Sequence, residues 1–307
     1  MTRLDEFEQL RPMLFAISYR ILGSVTEAED AVQECWLRWD ATPTRPASTK
    51  AFLSATITRI SIDVLRSARV RRETYPGPWL PEPLLDEPYQ DPEHAAELAD
   101  SLSTAALVLL ERLSPLERAA FLLHDVFGFG FDEISTTIDR SVPACKQLAV
   151  RARRHMAEGR PRFTADRAQR DALAARFVDA SRHGDVDELK QLLADDVQAM
   201  GDAGGKAPAL AHAVSGSTNV ARVLANLFPA LDAIGATIEQ REINGQPGAV
   251  VRDQGQRIIN TFTLDILAGR VQTIRFVLSP DKLAHLGEVV DPWAIADETR
   301  RAMRGRH

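Results

Sequence analysis

Residues 114–156, SPLERAAFLLHDVFGFGFDEISTTIDRSVPACKQLAVRARRHM, constrain this chain more than any other stretch. They divide into three helical segments, and the last two have the spacing of a helix-turn-helix. Ser114, Pro115 and Glu117 form a capping box that opens the first segment. Phe131 to Ile138 makes a short second helix, and Asp139-Arg140 tolerates a tight turn into the third. There Ser141 can cap the start, and Pro143 falls in the first turn, where its missing N–H costs nothing. Cys145, Leu148, Ala149, Ala152 and Met156 recur at helical spacing as one apolar stripe. The opposite face carries Lys146, Gln147, Arg151 and Arg154, which suits a major groove: cations pair with guanine or phosphate and Gln with adenine. A solvated core helix would show the same basic face, so the two helices in front of it are what turn the reading toward DNA.

At 307 residues the chain holds two or three domains. Its net charge of −6 does not suggest a nucleic-acid binder. The basic residues are nevertheless concentrated, in Arg59, Arg66, Arg69, Arg71 and Arg72 and again from Lys146 to Arg162, which points to two DNA contacts and leaves other surfaces for another partner. Cys35 and Cys145 fall in helical segments without a CxxC or a His cluster, so both read as small buried hydrophobes, and neither a metal nor a cofactor is expected. The chain opens without a signal peptide and has no apolar run of membrane-spanning length; the expectation is a soluble cytoplasmic protein with no membrane partner.

The first block is helical: Phe7 to Leu22 ending at Gly23, Thr26 to Asp40 opened by a Thr26/Glu29 capping box, and Thr49 to Arg72, with the Pro-rich ATPTRPAS between the last two. Prolines recur too closely in YPGPWLPEPLLDEPYQDP for a helix, so this is a linker, although Trp79 and Leu80 suggest that it docks on something. Glu93 to Arg112 resumes helix. Beyond Phe163 two amphipathic helices, Asp166 to Asp179 and Asp185 to Ala194, precede the glycine-rich VQAMGDAGGK, read as a turn. Ile258 to Leu267 alternates with period two and joins Val271 to Leu278 through Ala268-Gly269-Arg270, a hairpin that makes the last third α+β.

In this order, RILGSVTEAEDAVQECWLRW, KAFLSATITRISIDVLRSARVRRE and the helix-turn-helix resemble the second and fourth regions of extracytoplasmic-function RNA polymerase sigma factors. GPWLPEPL, GDAGGK and SPDKL further resemble the subgroup with a fused SnoaL-like (NTF2-like) extension. The resemblance implies two all-α modules, region 2 over 1–73 and region 4 over 93–162, joined by a linker at 74–92. It adds an α+β SnoaL-like cone over 163–286 and a tail at 287–307. It implies stress-response transcription initiation rather than catalysis. The partners would be promoter DNA and the largest and second-largest subunits of core RNA polymerase, with no separate anti-sigma protein and room for a small ligand in the cone.

By residue, the resemblance assigns Asp30, Gln33, Glu34 and Arg38 to core polymerase. Asp30 and Glu34 also share a helix face, where like charges invite a cation, although Arg38 one turn on can neutralise Glu34 internally. Thr44, Arg45, Ser48, Arg59, Arg66, Arg69, Arg71 and Arg72 fall to the minus-ten element, with the loop before the helix pocketing a flipped base. Ser141, Lys146, Gln147, Arg151 and Arg154 fall to the minus-thirty-five element; Asp139 and Leu148 depart from the common pattern, leaving Lys146 and Gln147 as base readers. A regulatory contact of the fused domain would join Trp79, Leu80, Pro81, Glu82 and Pro83 to Asp202, Gly204, Gly205, Lys206, Asp281, Lys282 and Leu283. Relatives carry DGGGK where Ala203 replaces a glycine here, at about 1 kcal/mol if that position needs a positive φ. Two alternatives stay open: a helix-turn-helix regulator whose SnoaL-like domain senses a ligand, and a bifunctional enzyme using Asp202, Lys206, His212 or Asp265.

Overall fold

The computed structural model describes residues 2–158, 167–208 and 213–304. The chain forms two compact units, Met1–Thr74 with Asp86–Arg160, and Tyr75–Leu85 with Pro161–His307. The expected linker at 74–92 is thus divided: Tyr75–Leu85 belong with the C-terminal domain, and its two ends with the helical unit.

The first unit is all helix. α1 (Arg3–Leu22) starts at a Thr2/Asp5 capping box and stops at Gly23, whose φ of 67° is the left-handed C-cap glycine tolerates. α2 (Val25–Asp40) is capped by Ser24, which accepts from the Glu27 N–H. This corrects the expected Thr26/Glu29 box: Ser24, next to the Gly23 stop, reaches the first free amides before Thr26 does. α3 (Thr49–Glu73) packs against both, around Leu14, Ile17, Cys35, Trp39, Leu53 and Ile57. The segment expected as one helix from Glu93 is broken into α4 (Ala95–Leu102) and α5 (Thr104–Leu110), because Ser103 leaves helical geometry (ψ 143°) and caps α5 by accepting from the Ala106 N–H. α6 (Pro115–Phe121) has the expected Ser114/Glu117 box and continues through a π turn at Leu122–Val126. α7 (Phe131–Ile138) ends at Asp139, held left-handed with φ 52°, and α8 (Val142–Glu158) follows. Asp is among the few non-glycine residues that adopt this conformation readily, so the departure from a small turn residue keeps the turn intact.

The second unit is α+β. α9 (Arg167–His183) and α10 (Val186–Leu192) lead into β1 (Leu193–Asp202), and the short β2 (Val214–Ser215) precedes α11 (Ser217–Ala233). β3 (Thr237–Ile243), β4 (Gln246–Arg252), β5 (Ile258–Leu267) and β6 (Arg270–Val277) complete a sheet of order β2-β1-β6-β5-β4-β3. α12 (Pro280–Leu283) and α13 (Pro292–Arg304) close the chain. VQAMGD is therefore strand rather than turn: Val197, Ala199 and Gly201 alternate inward, which glycine content alone conceals. Phe177 and Phe228 from the helices meet Phe262 and Phe276 from the sheet in the core of this unit. The β5–β6 hairpin forms as expected, with Ala268 and Gly269 both at positive φ.

Candidate nucleic-acid interface and linker clasp

On α8 the expected stripe, Cys145, Leu148, Ala149, Ala152 and Met156, is buried. Pro143, Lys146, Gln147, Val150, Arg151 and Arg154 face solvent. Ser141 caps the start, its Oγ accepting from the Ala144 N–H at 3.4 Å. Lys146 Nζ lies 5.8 Å from the Phe131 ring centroid. Arg151 is turned back onto Glu117 (2.7 Å) and Arg153 onto Asp125 (2.6 Å), which ties α8 to the helices behind it. Burial opposes ionisation of Glu117, but its bonds to Arg151 and Ser114 outweigh that and hold its carboxyl below the usual range.

The other assigned residues fall on two surfaces. Asp30, Gln33 and Arg38 are exposed on α2, and Arg38 pairs with Glu34 at 2.8 Å, the internal neutralisation foreseen from the spacing. Thr44, Arg45 and Ser48 are exposed in the loop before α3; Arg45 pairs with Glu6 (3.1 Å), and Ser48 accepts from the Ala51 N–H. Arg66 pairs with Asp63 at 3.2 Å. The Arg69, Arg71 and Arg72 side chains lie outside the described residues. Arg59 donates to the carbonyls of Thr136 (2.6 Å) and Thr137 (2.8 Å), so α3 grips the negative end of the α7 dipole. Two buried arginines strengthen the same packing. Arg118 donates to the Ile21 carbonyl at the end of α1 and pairs with Glu111, both at 2.6 Å. Arg20 donates to Leu98 and Ser101 of α4 and pairs with Glu87 at 2.9 Å; burial lowers its pKa, with Glu87 opposing.

In the second unit the linker is clasped around one carboxylate. Asp202, fully buried at the end of β1, accepts from the Tyr75 hydroxyl (2.6 Å), the Leu80 N–H (2.7 Å) and Lys282 Nζ (2.6 Å). Lys282, from α12, also donates to the Leu80 carbonyl and lies 4.8 Å from the Tyr75 ring centroid and 4.4 Å from that of Trp79. Two aromatic faces, a carboxylate and a carbonyl thus replace the water that this ammonium gives up. Burial, then the bond to Asp202, hold the Tyr75 phenol well above its usual range. Leu80, Pro81, Glu82 and Pro83 are all buried. His285 donates from Nε2 to the Pro83 carbonyl at 2.8 Å, and Asn244 binds both the N–H and the carbonyl of Leu84.

The glycines explain how the linker comes so close. Gly204 and Gly205 have φ of 56° and 73°, and a Cβ on them would meet Tyr75 Oη at 2.8 Å and Pro76 Cγ at 2.9 Å. Ala203 is not at positive φ, so its replacement of a glycine carries no backbone cost. Lys206 and Asp281 pair on the surface, both more than half exposed, and Leu283 is buried beneath the clasp.

Tyr75, Asn244 and His285 were not foreseen from the sequence. Asn244-Gly245, both at positive φ between β3 and β4, carried the one available signal, a two-residue hairpin turn. Of the residues considered for enzyme chemistry, Asp202 and Asp265 do not converge. Asp202 lies level with Val277 and Thr261 across the sheet, whereas Asp265 is two strands over and four residues further along β5, an offset of about 13 Å along the strand direction alone. Asp265 pairs there with Arg275 at 3.7 Å. His212 lies outside the described residues. Among the described residues no His, Cys, Asp and Glu group could hold a metal, and no helix is long and apolar enough to cross a membrane.

A helix-turn-helix with a solvent-facing cationic helix, preceded by a three-helix module and followed by an α+β domain, defines a multidomain sigma-type transcription factor. Family models agree, with sigma-70 region 2 matching residues 7–71 and sigma-70 region 4 matching residues 103–156. The chain is 38% identical over 293 residues to the ECF RNA polymerase sigma factor SigJ of Mycobacterium tuberculosis, covering 91% of this chain and 92% of that one. It is 29% identical to the probable ECF sigma factor SigI of the same species, over 89% and 92% of the two chains. The crystal structure of SigJ superposes with a TM-score of 0.71 at 34% identity, covering 92% of this chain and 98% of that one. The chain belongs to the extracytoplasmic-function sigma factor family.

Proposed function

We propose that this protein binds core RNA polymerase through the Asp30, Gln33, Glu34 and Arg38 face of α2 and carries α3 and α8 to the minus-ten and minus-thirty-five promoter elements. The C-terminal domain then sets its activity in cis by holding the linker. The observation that carries the regulatory part is the buried Asp202–Lys282 pair closed over Tyr75, Trp79 and Leu80. The two promoter elements are roughly 25 base pairs apart, about 85 Å of duplex at ~3.4 Å each. In the first unit α3 instead rests on α7, with Arg59 on the Thr136 and Thr137 carbonyls, so the two modules have to part before both elements are read. Residues Tyr75–Leu85 are the chain that can extend when they do; stretched out they span roughly 36–40 Å, and none of that length is available while the clasp holds.

The test is transcription with reconstituted core polymerase. Trp79→Ala in the full chain removes one wall of the ammonium's cage without touching either DNA-binding helix, and it should change promoter-specific output severalfold. Unchanged output, with the linker shown by limited proteolysis to be released, would discard regulation through the clasp. Failure to form any promoter-specific transcript with the unaltered chain would discard the sigma function itself.

A further inference from the structure

Val150 is 60% exposed, more than Leu4, Leu37 or Trp293, the other exposed large apolar side chains among the described residues. It stands one helical turn from both Lys146 and Gln147 and one turn before Arg154, in the centre of the α8 face turned to solvent. The neighbouring cations Arg151 and Arg153 are drawn off this centre by Glu117 and Asp125, leaving an apolar spot ringed by polar groups. An isopropyl group there gains nothing from water or from phosphate. In a major groove it has one apolar partner, the C5-methyl of thymine.

Resting on the reading of α8 as a base-reading helix, we propose that Val150 is a specificity-determining residue that recognises the methyl group of a thymine in the upstream promoter element. Three to four residues of helix advance about 4.5–6 Å. That places the thymine one or two base pairs from the base read by Gln147.

To test this, the full chain is assembled with core RNA polymerase and used to select duplexes from a pool randomised across the upstream element. Each thymine of the selected element is then replaced singly by deoxyuridine, which pairs identically but lacks the methyl group. One replacement should weaken binding about three- to fivefold, the factor for burying a single methyl. Val150→Ala should bind the thymine probe more weakly by that same factor and no longer distinguish it from deoxyuridine, while Val150→Ile keeps the distinction. A selected element with no deoxyuridine-sensitive thymine, or a distinction that survives in Val150→Ala, overturns the assignment. Lys146→Ala and Gln147→Ala form a separate arm. If they weaken binding to all sequences alike, the base-reading role of α8 falls; if they relax preference at one or two base pairs while thymine and deoxyuridine bind alike, Val150 alone falls.

Discussion

Lys282 in the clasp and Lys146 on α8 are the same residue type in opposite solvents. Lys282 is 8% exposed and its partner Asp202 is fully buried, so each charge has exchanged water for the other, and neither can be removed without stranding its partner. Lys146 stays in water, loses little if nothing binds it, and remains available for an anionic partner. Burial makes a charge structural, whereas exposure leaves it for recognition.

The largest effect that would break this comparison is at Lys282. Lys282→Ala leaves the Asp202 carboxylate buried without its counter-ion and should destabilise the C-terminal unit by about 3–5 kcal/mol in chemical denaturation, with faster proteolysis in the 75–85 segment. A loss below about 1 kcal/mol would make the clasp an ordinary surface pair. Lys146→Ala should leave the denaturation midpoint unchanged and cost about 1–3 kcal/mol of discrimination at one base pair in a competition assay with holoenzyme. Tyr75→Phe sharpens the comparison through pH. The folded-state pKa of Tyr75 is raised, so the neutral phenol is the form the clasp favours; its contribution is complete below the unfolded value of about 10 and is lost as pH rises beyond it. The wild-type protein should therefore lose more stability between pH 9 and 11 than Tyr75→Phe does, measured by thermal melts at each pH. The smallest effect belongs to Lys206→Ala, which breaks an exposed pair with Asp281 and should cost no more than about 0.5 kcal/mol, although GDAGGK as a motif suggests otherwise.

Much of the helical half was legible because its signals are local. The Ser114/Glu117 box, the span Phe131–Ile138 and the buried stripe of α8 depend on spacing within a few residues. The Thr26/Glu29 box failed since two capping patterns overlapped within six residues, and the Gly23 stop decided between them. Strand β1 was missed because its glycine and polar residues outweighed an alternation that only packing reveals. In the clasp, the motif residues stood out in the sequence as three separate strings. Their joining through Tyr75, Asn244 and His285 did not, since each contact spans more than 120 residues.

The sequence by itself determined where α1, α2, α3, α7 and α8 lie to within a few residues, which face of α8 is cationic, and that the Pro-rich segment is not helical. Periodicity, capping and proline geometry act within one or two turns of chain. Only the tertiary structure decided that Arg59 caps α7 and that the 75–85 part of the linker belongs with the C-terminal domain around Asp202. Those outcomes turn on which buried charge finds which partner, and that depends on distance in space rather than on spacing along the chain.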